Sequence, residues 1–121
     1  MNPLPKRRRS YLWGYIAEYM AALYLLLKGY SILQLRYRHH FGEIDIIAMQ
    51  GQILIAVEVK ARASQAAALY SITPGKQRKI AQAANAFIAQ HPEYAQLGLR
   101  FDVIVLTSLF TITHIKDVWR L

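Results

Sequence analysis

The segment 42–62, GEIDIIAMQGQILIAVEVKAR, constrains the fold more than any other part of the chain. Two aliphatic and β-branched runs flank Gln50-Gly51 and read as strands over 42–49 and 52–62, joined by a tight turn. Asp45, Glu58 and Lys60 interrupt runs that are otherwise Ile, Leu, Val and Ala. With a two-residue turn, Met49 faces Gln52, Asp45 faces Ala56 and Glu43 faces Glu58. Side chains alternate between the two faces of a sheet. Asp45, Ala56, Glu58 and Lys60 then share one face, and Ile44, Ile46, Ala48, Ile53, Ile55, Val57 and Val59 form an apolar layer on the other. Asp45 and Glu58 become diagonal neighbours with α-carbons roughly 7–8 Å apart. A three-residue loop would turn Asp45 to the wrong face, so this inference depends on the turn.

The remaining segments place helices around these strands. SILQLRYR (31–38) and LRFDVIVLT (99–107) read as strands, and FTITHI (110–115) as a fifth, reached by a turn near Ser108-Leu109. Thr73 and Pro74 open a helix as N-cap and first helical residue, and Pro92 stops it. Ile80, Ala84, Phe87 and Ile88 form its apolar stripe. The stretch ASQAAALYS is a loop or a short helix. A first helix runs from Ser10, its N-cap, to about Lys28, with Gly29 at the C-terminal cap. It is apolar on nearly every side, which predicts burial on more than one side. Helices interrupting a strand series indicate an α/β domain with a mixed sheet. Residues 10–121 are expected to form one domain, and 1–9 a basic, flexible tail.

Composition narrows the partners. The chain has no cysteine, which excludes disulfides and thiolate metal sites and fits a reducing, cytoplasmic setting. Lys and Arg outnumber Asp and Glu by 15 to 7, a formal charge of +8. A domain this basic meets polyanions: nucleic acid or an anionic membrane. The membrane option rests on KRRR (6–9) followed by YLWGYIAEYMAALYLLL (11–27). The run is at the short limit for a span. Glu18 inside it costs roughly 2.5–3.5 kcal/mol at mid-membrane, and no small-residue cleavage site follows. No membrane span is expected, and Glu18 becomes a carboxylate on a buried helix.

Two carboxylates on neighbouring strands with open water positions suit Mg²⁺ or Mn²⁺. Such an ion polarises a phosphodiester, and a lysine beside it stabilises charge on the phosphate. The alternative is a same-face Glu58–Lys60 ion pair on a solvated strand. Lys76, Gln77, Arg78 and Lys79 open the second helix, where cations oppose the helix dipole, so the turn is a candidate phosphate contact. A plain solvated turn is the alternative. Arg36, Arg38, Arg62 and KRRR are further candidate nucleic-acid contacts, sensitive to salt and indifferent to sequence. His39 and His40, adjacent in a strand, are expected to point to opposite faces, which argues against a shared zinc. His114 has no evident partner. No phosphate-binding loop and no serine or cysteine triad is present.

The motifs Gly42-Glu43-Ile44-Asp45-Ile46-Ile47-Ala48 and Val57-Glu58-Val59-Lys60-Ala61-Arg62 resemble the PD-(D/E)xK nuclease core. With Gly14-Tyr15-Ile16-Ala17-Glu18, Gly29-Tyr30, the Lys76 region and Arg100-Phe101-Asp102-Val103, the chain resembles the YraN-like family of small bacterial proteins. That family is similar in its core to Holliday-junction resolvases. The resemblance implies a restriction-endonuclease-like αβββαβ core. It implies metal ligation by Asp45 and Glu58, Lys60 as catalytic lysine, and Glu18 as an acidic residue brought in from the first helix. For Glu18 the alternative is a carboxylate bonded to a Tyr hydroxyl or protonated by burial. The sequence departs from the pattern in two places: Ile44 stands where the superfamily's Pro would be, and Arg36 where the family leads one to expect Asn. The reading is a metal-dependent DNA endonuclease, acting on branched or structured DNA, or a nucleic-acid-binding module of the same fold. A homodimer is compatible with it, through an edge strand or 107–115.

Overall fold

The computed structural model describes residues 6–120, with residues 6–11 described by backbone alone. Helix α1 spans Lys6–Leu27. It begins earlier than expected, so Ser10 lies inside the helix and does not cap it. Of the residues assigned to a tail, 6–9 form the first helical turn, and 1–5 lie outside the described residues. The far end stops as predicted. Gly29 takes φ 90°, and its N–H and that of Tyr30 bond the Leu26 and Leu25 carbonyls.

Five strands follow: β1 (Ser31–His39), β2 (Gly42–Gln50), β3 (Ile53–Ala61), β4 (Gly98–Ser108) and β5 (Thr111–Trp119). They form one sheet in the order β1-β2-β3-β4-β5. Every neighbouring pair is antiparallel except β3 and β4, which are parallel. The parallel pair is reached through α2 (Gln65–Tyr70), a short helix capped by Ser64, and α3 (Pro74–Gln90). Thr73 caps α3 as expected, its Oγ1 accepting from the Lys76 N–H at 3.2 Å. The architecture is the mixed, helix-flanked sheet of the sequence reading, with α2 and a longer β5 added to an αβββαβ order.

Both faces of the sheet are covered by helices, as expected of a flanked mixed sheet. On one face Ala17, Ala21, Ala22 and Leu25 of α1 pack on Ile46, Ala48, Ile55, Val57, Ile104 and Leu106. On the other, Ile80, Ala83, Ala84 and Phe87 of α3 pack on Ile47, Leu54, Ala56, Phe101 and Val103. Strands buried on both faces read as continuous apolar runs. Helix α1 is buried on this one side only; its opposite side is exposed, contrary to expectation.

The β2–β3 turn also differs. Gln50 pairs with Ile53, so the turn residues are Gly51 and Gln52, and Ile46 faces Val57 instead of Ile55. Gly51 has φ 58°, the left-handed conformation that tight hairpin turns require. The shift is even, so side-chain parity survives. Asp45 moves from Ala56 to the position opposite Glu58, and Glu43 no longer faces Glu58. The ladder, however, ends at Ile46–Val57. Ile44 packs with Ile47 on the α3 side while Ile46 packs on the α1 side, so alternation breaks at Asp45 and Ile44 leaves its expected layer. Across from this break, Arg36 sits at φ 49° between the Leu35–Ile46 and Tyr37–Ile44 pairs. Such a conformation is uncommon outside Gly, and Asn adopts it more readily than Arg. Both strands therefore bend at one level, and the sheet opens there.

Candidate active site

Beyond Ile46 and Val57 the two central strands separate. The Val59 N–H donates to Asp45 Oδ2 at 2.8 Å, where a β2 main-chain carbonyl would accept in a continued ladder. This bond fixes the Asp45 carboxylate across the mouth of the opening. Glu58 and Lys60 stand beside it, Lys60 Nζ lying 3.9 Å from Glu58 Oε2, with only 14% and 13% of the two side chains exposed. Asp45, Glu58, Lys60, Glu18 and Arg62 line one cleft of about 450 Å³, walled by Trp13, Gly14 and Ala17 of α1. The sequence reading proposed these five residues from separate motifs, and the fold brings them together.

The electrostatics of the cleft are unbalanced. Burial pushes the Asp45 carboxyl up to about 6, opposed in part by the Val59 N–H. Burial pushes Glu58 up to about 8; the neighbouring Asp45 carboxylate adds to this and Lys60 opposes it. The Asp45 N–H and Lys76 also oppose the rise at Glu58, but burial prevails, and the two carboxyls keep a proton between them near neutrality. A cation held by both would replace that proton. The donor set fits Mg²⁺ or Mn²⁺: Asp45 and Glu58 present hard oxygens, and such ions retain several waters. Among the described residues no group of three or more His, Cys, Asp or Glu side chains is placed to enclose a metal, so a closed zinc cage is not formed.

The other expected contacts divide into two groups. Lys76 and Lys79 line a smaller recess of about 160 Å³ against α3, which shares Glu58 and Lys60 with the main cleft. Gly42 makes this approach possible: a Cβ there would lie 2.7 Å from the Lys79 carbonyl oxygen. The glycine of the GEID motif thus holds the start of α3 against the site. Gln77 instead turns back, donating to the Ile72 carbonyl at 3.2 Å. Arg78 is exposed and lines neither recess.

Arg36, expected on phosphate, is committed to Glu18: its Nε lies 2.5 Å from Glu18 Oε2, and its guanidinium stacks 4.0 Å from the Tyr15 ring centre. Glu18 is therefore an ion-paired wall of the cleft, and among the described residues it has no bond to a tyrosine hydroxyl. Arg38 is exposed, 3.6 Å from Glu43. His39 and His40 do not diverge; their rings lie 4.2 Å apart at the β1–β2 turn, where strand alternation has ended. The sequence reading missed the partner of His114, whose Nε2 lies 2.7 Å from Asp102 Oδ2.

The matches to known proteins cover this site. The model of the uncharacterised protein family UPF0102 matches residues 17–106, a span holding Glu18, Asp45, Glu58, Lys60 and α3. The chain is 45% identical over 104 residues to a UPF0102 protein of Rhodopseudomonas palustris strain BisA53, covering 86% of this chain and 80% of that one. It is 44% identical over 111 residues to a UPF0102 protein of Bradyrhizobium diazoefficiens, covering 92% and 84%. A UPF0102 protein of Rhizobium etli is 39% identical over 113 residues, covering 93% of each chain. With more than half its length matched, and by relatives this similar, the chain belongs to the uncharacterised protein family UPF0102, the YraN-like family its motifs resemble.

Proposed function

We propose that this protein hydrolyses phosphodiester bonds in DNA with a bound Mg²⁺ or Mn²⁺, and that branched or otherwise structured DNA is its substrate class. One observation carries the reading: Asp45 and Glu58 stand together, half-buried, in an open cleft beside Lys60. Asp45 and Glu58 would hold the ion. When bound, such an ion supplies a Lewis acid at the phosphate and lowers the pKa of a coordinated water.

The protein's own residues do the remaining work. The Val59 N–H keeps Asp45 aimed at Glu58. The Lys60 ammonium, held low in the cleft, neutralises negative charge that builds on the phosphate. Lys76 and Lys79 flank the same carboxylate from α3, and Arg62 lies at the rim. These cations bind the sugar–phosphate backbone without reading bases, in keeping with a chain of net charge +8. The Glu18–Arg36 pair holds α1 against the β1 bend and shapes the wall.

A second reading, a nucleic-acid-binding module without turnover, is favoured by that same pair. With Glu18 engaged by Arg36 and Glu43 beside Arg38, Asp45 and Glu58 are the two cleft carboxylates without an arginine partner. The test is a cleavage assay on linear, flapped and four-way DNA with Mg²⁺ or Mn²⁺. Cleavage that disappears in Lys60→Ala and Glu58→Ala supports the hydrolase. Binding without cleavage of any substrate supports the module, and cleavage persisting in both variants rejects this site.

A further inference from the structure

Helix α1 is apolar around most of its circumference, and a helix of that kind is ordinarily buried on all sides. Its inner side, with Ala17, Ala21, Ala22 and Leu25, is covered by the sheet. On the outer side Leu12, Ile16, Tyr19, Leu23 and Leu26 remain 38–57% exposed. Their spacing alternates four and three residues, the pattern of a seam between two helices. Tyr15 and Leu27, 42% and 79% exposed, widen the stripe. Together these side chains form one uncovered apolar stripe along α1, the kind of surface that builds the share of about 800 Å² each partner contributes to a stable two-chain interface. A monomer seldom keeps so large an apolar patch in water without using it.

We propose that a second copy of this chain covers the stripe, with α1 packed antiparallel on the partner's α1 about a two-fold axis near Tyr19. The stripe is nearly symmetric about Tyr19, so the same residues meet on both sides, as a two-fold interface requires. Charge sets the direction. The run Lys6–Arg9 occupies the first turn of α1, where it opposes the helix's own dipole. Antiparallel packing brings each basic run beside the negative C-terminal pole of the partner's helix, whereas parallel packing would join the two runs. A lipid-bound helix carries a polar face opposite its apolar one; that position on α1 is filled by buried alanines. The pairing differs from one through an edge strand: β5 is interrupted by register shifts and by Asp117 at φ 56°, features that blunt an edge. Because Trp13, Gly14 and Glu18 line the cleft from the same helix, each cleft borders the seam.

Sedimentation of the full chain over a wide concentration series tests this. The expected particle has twice the 13.9 kDa chain mass. Leu23→Glu and Leu26→Glu, both at exposed positions, weaken association by about 100-fold or more. Phe110→Glu, at a site 90% exposed on the β4–β5 turn, leaves it intact. The chain has no cysteine, so Tyr19→Cys and Leu12→Cys each introduce a single thiol. Mild oxidation should cross-link Tyr19→Cys far more readily than Leu12→Cys. A single-chain mass throughout, a dimer unaffected by Leu23→Glu, or equal cross-linking of both thiol variants would overturn the proposal. So would a single-chain particle that floats with anionic phospholipid vesicles, which would assign the stripe to a membrane.

Discussion

Two acidic sites in this protein, one fully buried and one half-buried, are built in opposite ways. Asp102, fully buried in β4, accepts two bonds from Arg100, at 2.8 Å each, and one from the Asp117 N–H at 3.0 Å. His114 completes the set. Burial pushes the Asp102 carboxyl up, but the bonds from His114, Arg100 and the Asp117 N–H outweigh it and leave it below the usual carboxylate value. Asp45 and Glu58 have main-chain N–H groups and the lysines Lys60 and Lys76 near them but, among the described residues, no arginine or histidine bonded to them, and burial still pushes both up. A satisfied buried charge anchors a fold. An unsatisfied pair facing a cleft is where a cation or substrate belongs. The contrast sets an acid satisfied within the fold against an acid pair that the proposed function assigns to a cation.

The largest consequence concerns chemistry. Lys60→Ala or Glu58→Gln should lower single-turnover cleavage by at least about 10³-fold, near 4 kcal/mol of transition-state stabilisation. Next comes stability. Asp102→Ala leaves Arg100 without its partner and should cost roughly 3–5 kcal/mol in urea unfolding. The lowered Asp102 value gives stability that is present above the usual carboxylate value of 3.8 and lost as pH falls through the folded one. If Asp102→Ala left stability unchanged while abolishing cleavage, the two positions would have exchanged roles.

Glu58→Gln should have the reverse effect on the metal-free protein, raising its stability by roughly 1–2 kcal/mol at pH 8. The sign follows from the raised value. Stability from the protonated Glu58 is complete below 4.5 and is lost as pH rises through about 8, so most of the gain from Gln is gone at pH 5. Thermal melts at the two pH values check this. The smallest effect belongs to the flank: Lys76→Ala should reduce the slope of log affinity against log salt by about one, seen in DNA-binding titrations.

The local signals in the sequence were the readable ones. Thr73 and Pro74 cap α3 through bonds within one turn, and Gly29 ends α1 through its own φ. The β2–β3 turn was misplaced because Gln50-Gly51 and Gly51-Gln52 both put glycine in a tight turn. The error displaced the register by an even step, so Asp45, Glu58 and Lys60 still converged. What could not be read depends on distant partners. The bend at Asp45 is matched by Arg36 at positive φ, held by Glu18 from another element. The partnership of His114 with Asp102 depends on the β4–β5 register, which pairs His114 with Ile104 and makes Asp102 its diagonal neighbour. The exposed side of α1 was invisible because apolar composition alone implies burial without saying which molecule provides it.

The most direct measurement is a calorimetric titration of Mn²⁺ into the parent protein, Asp45→Asn and Glu58→Gln at neutral pH. The parent should bind the ion and release protons to the buffer as the carboxyl pair deprotonates, and either substitution should abolish the binding. Equal binding by all three proteins, or none by the parent, would contradict the assignment of a cation to this pair.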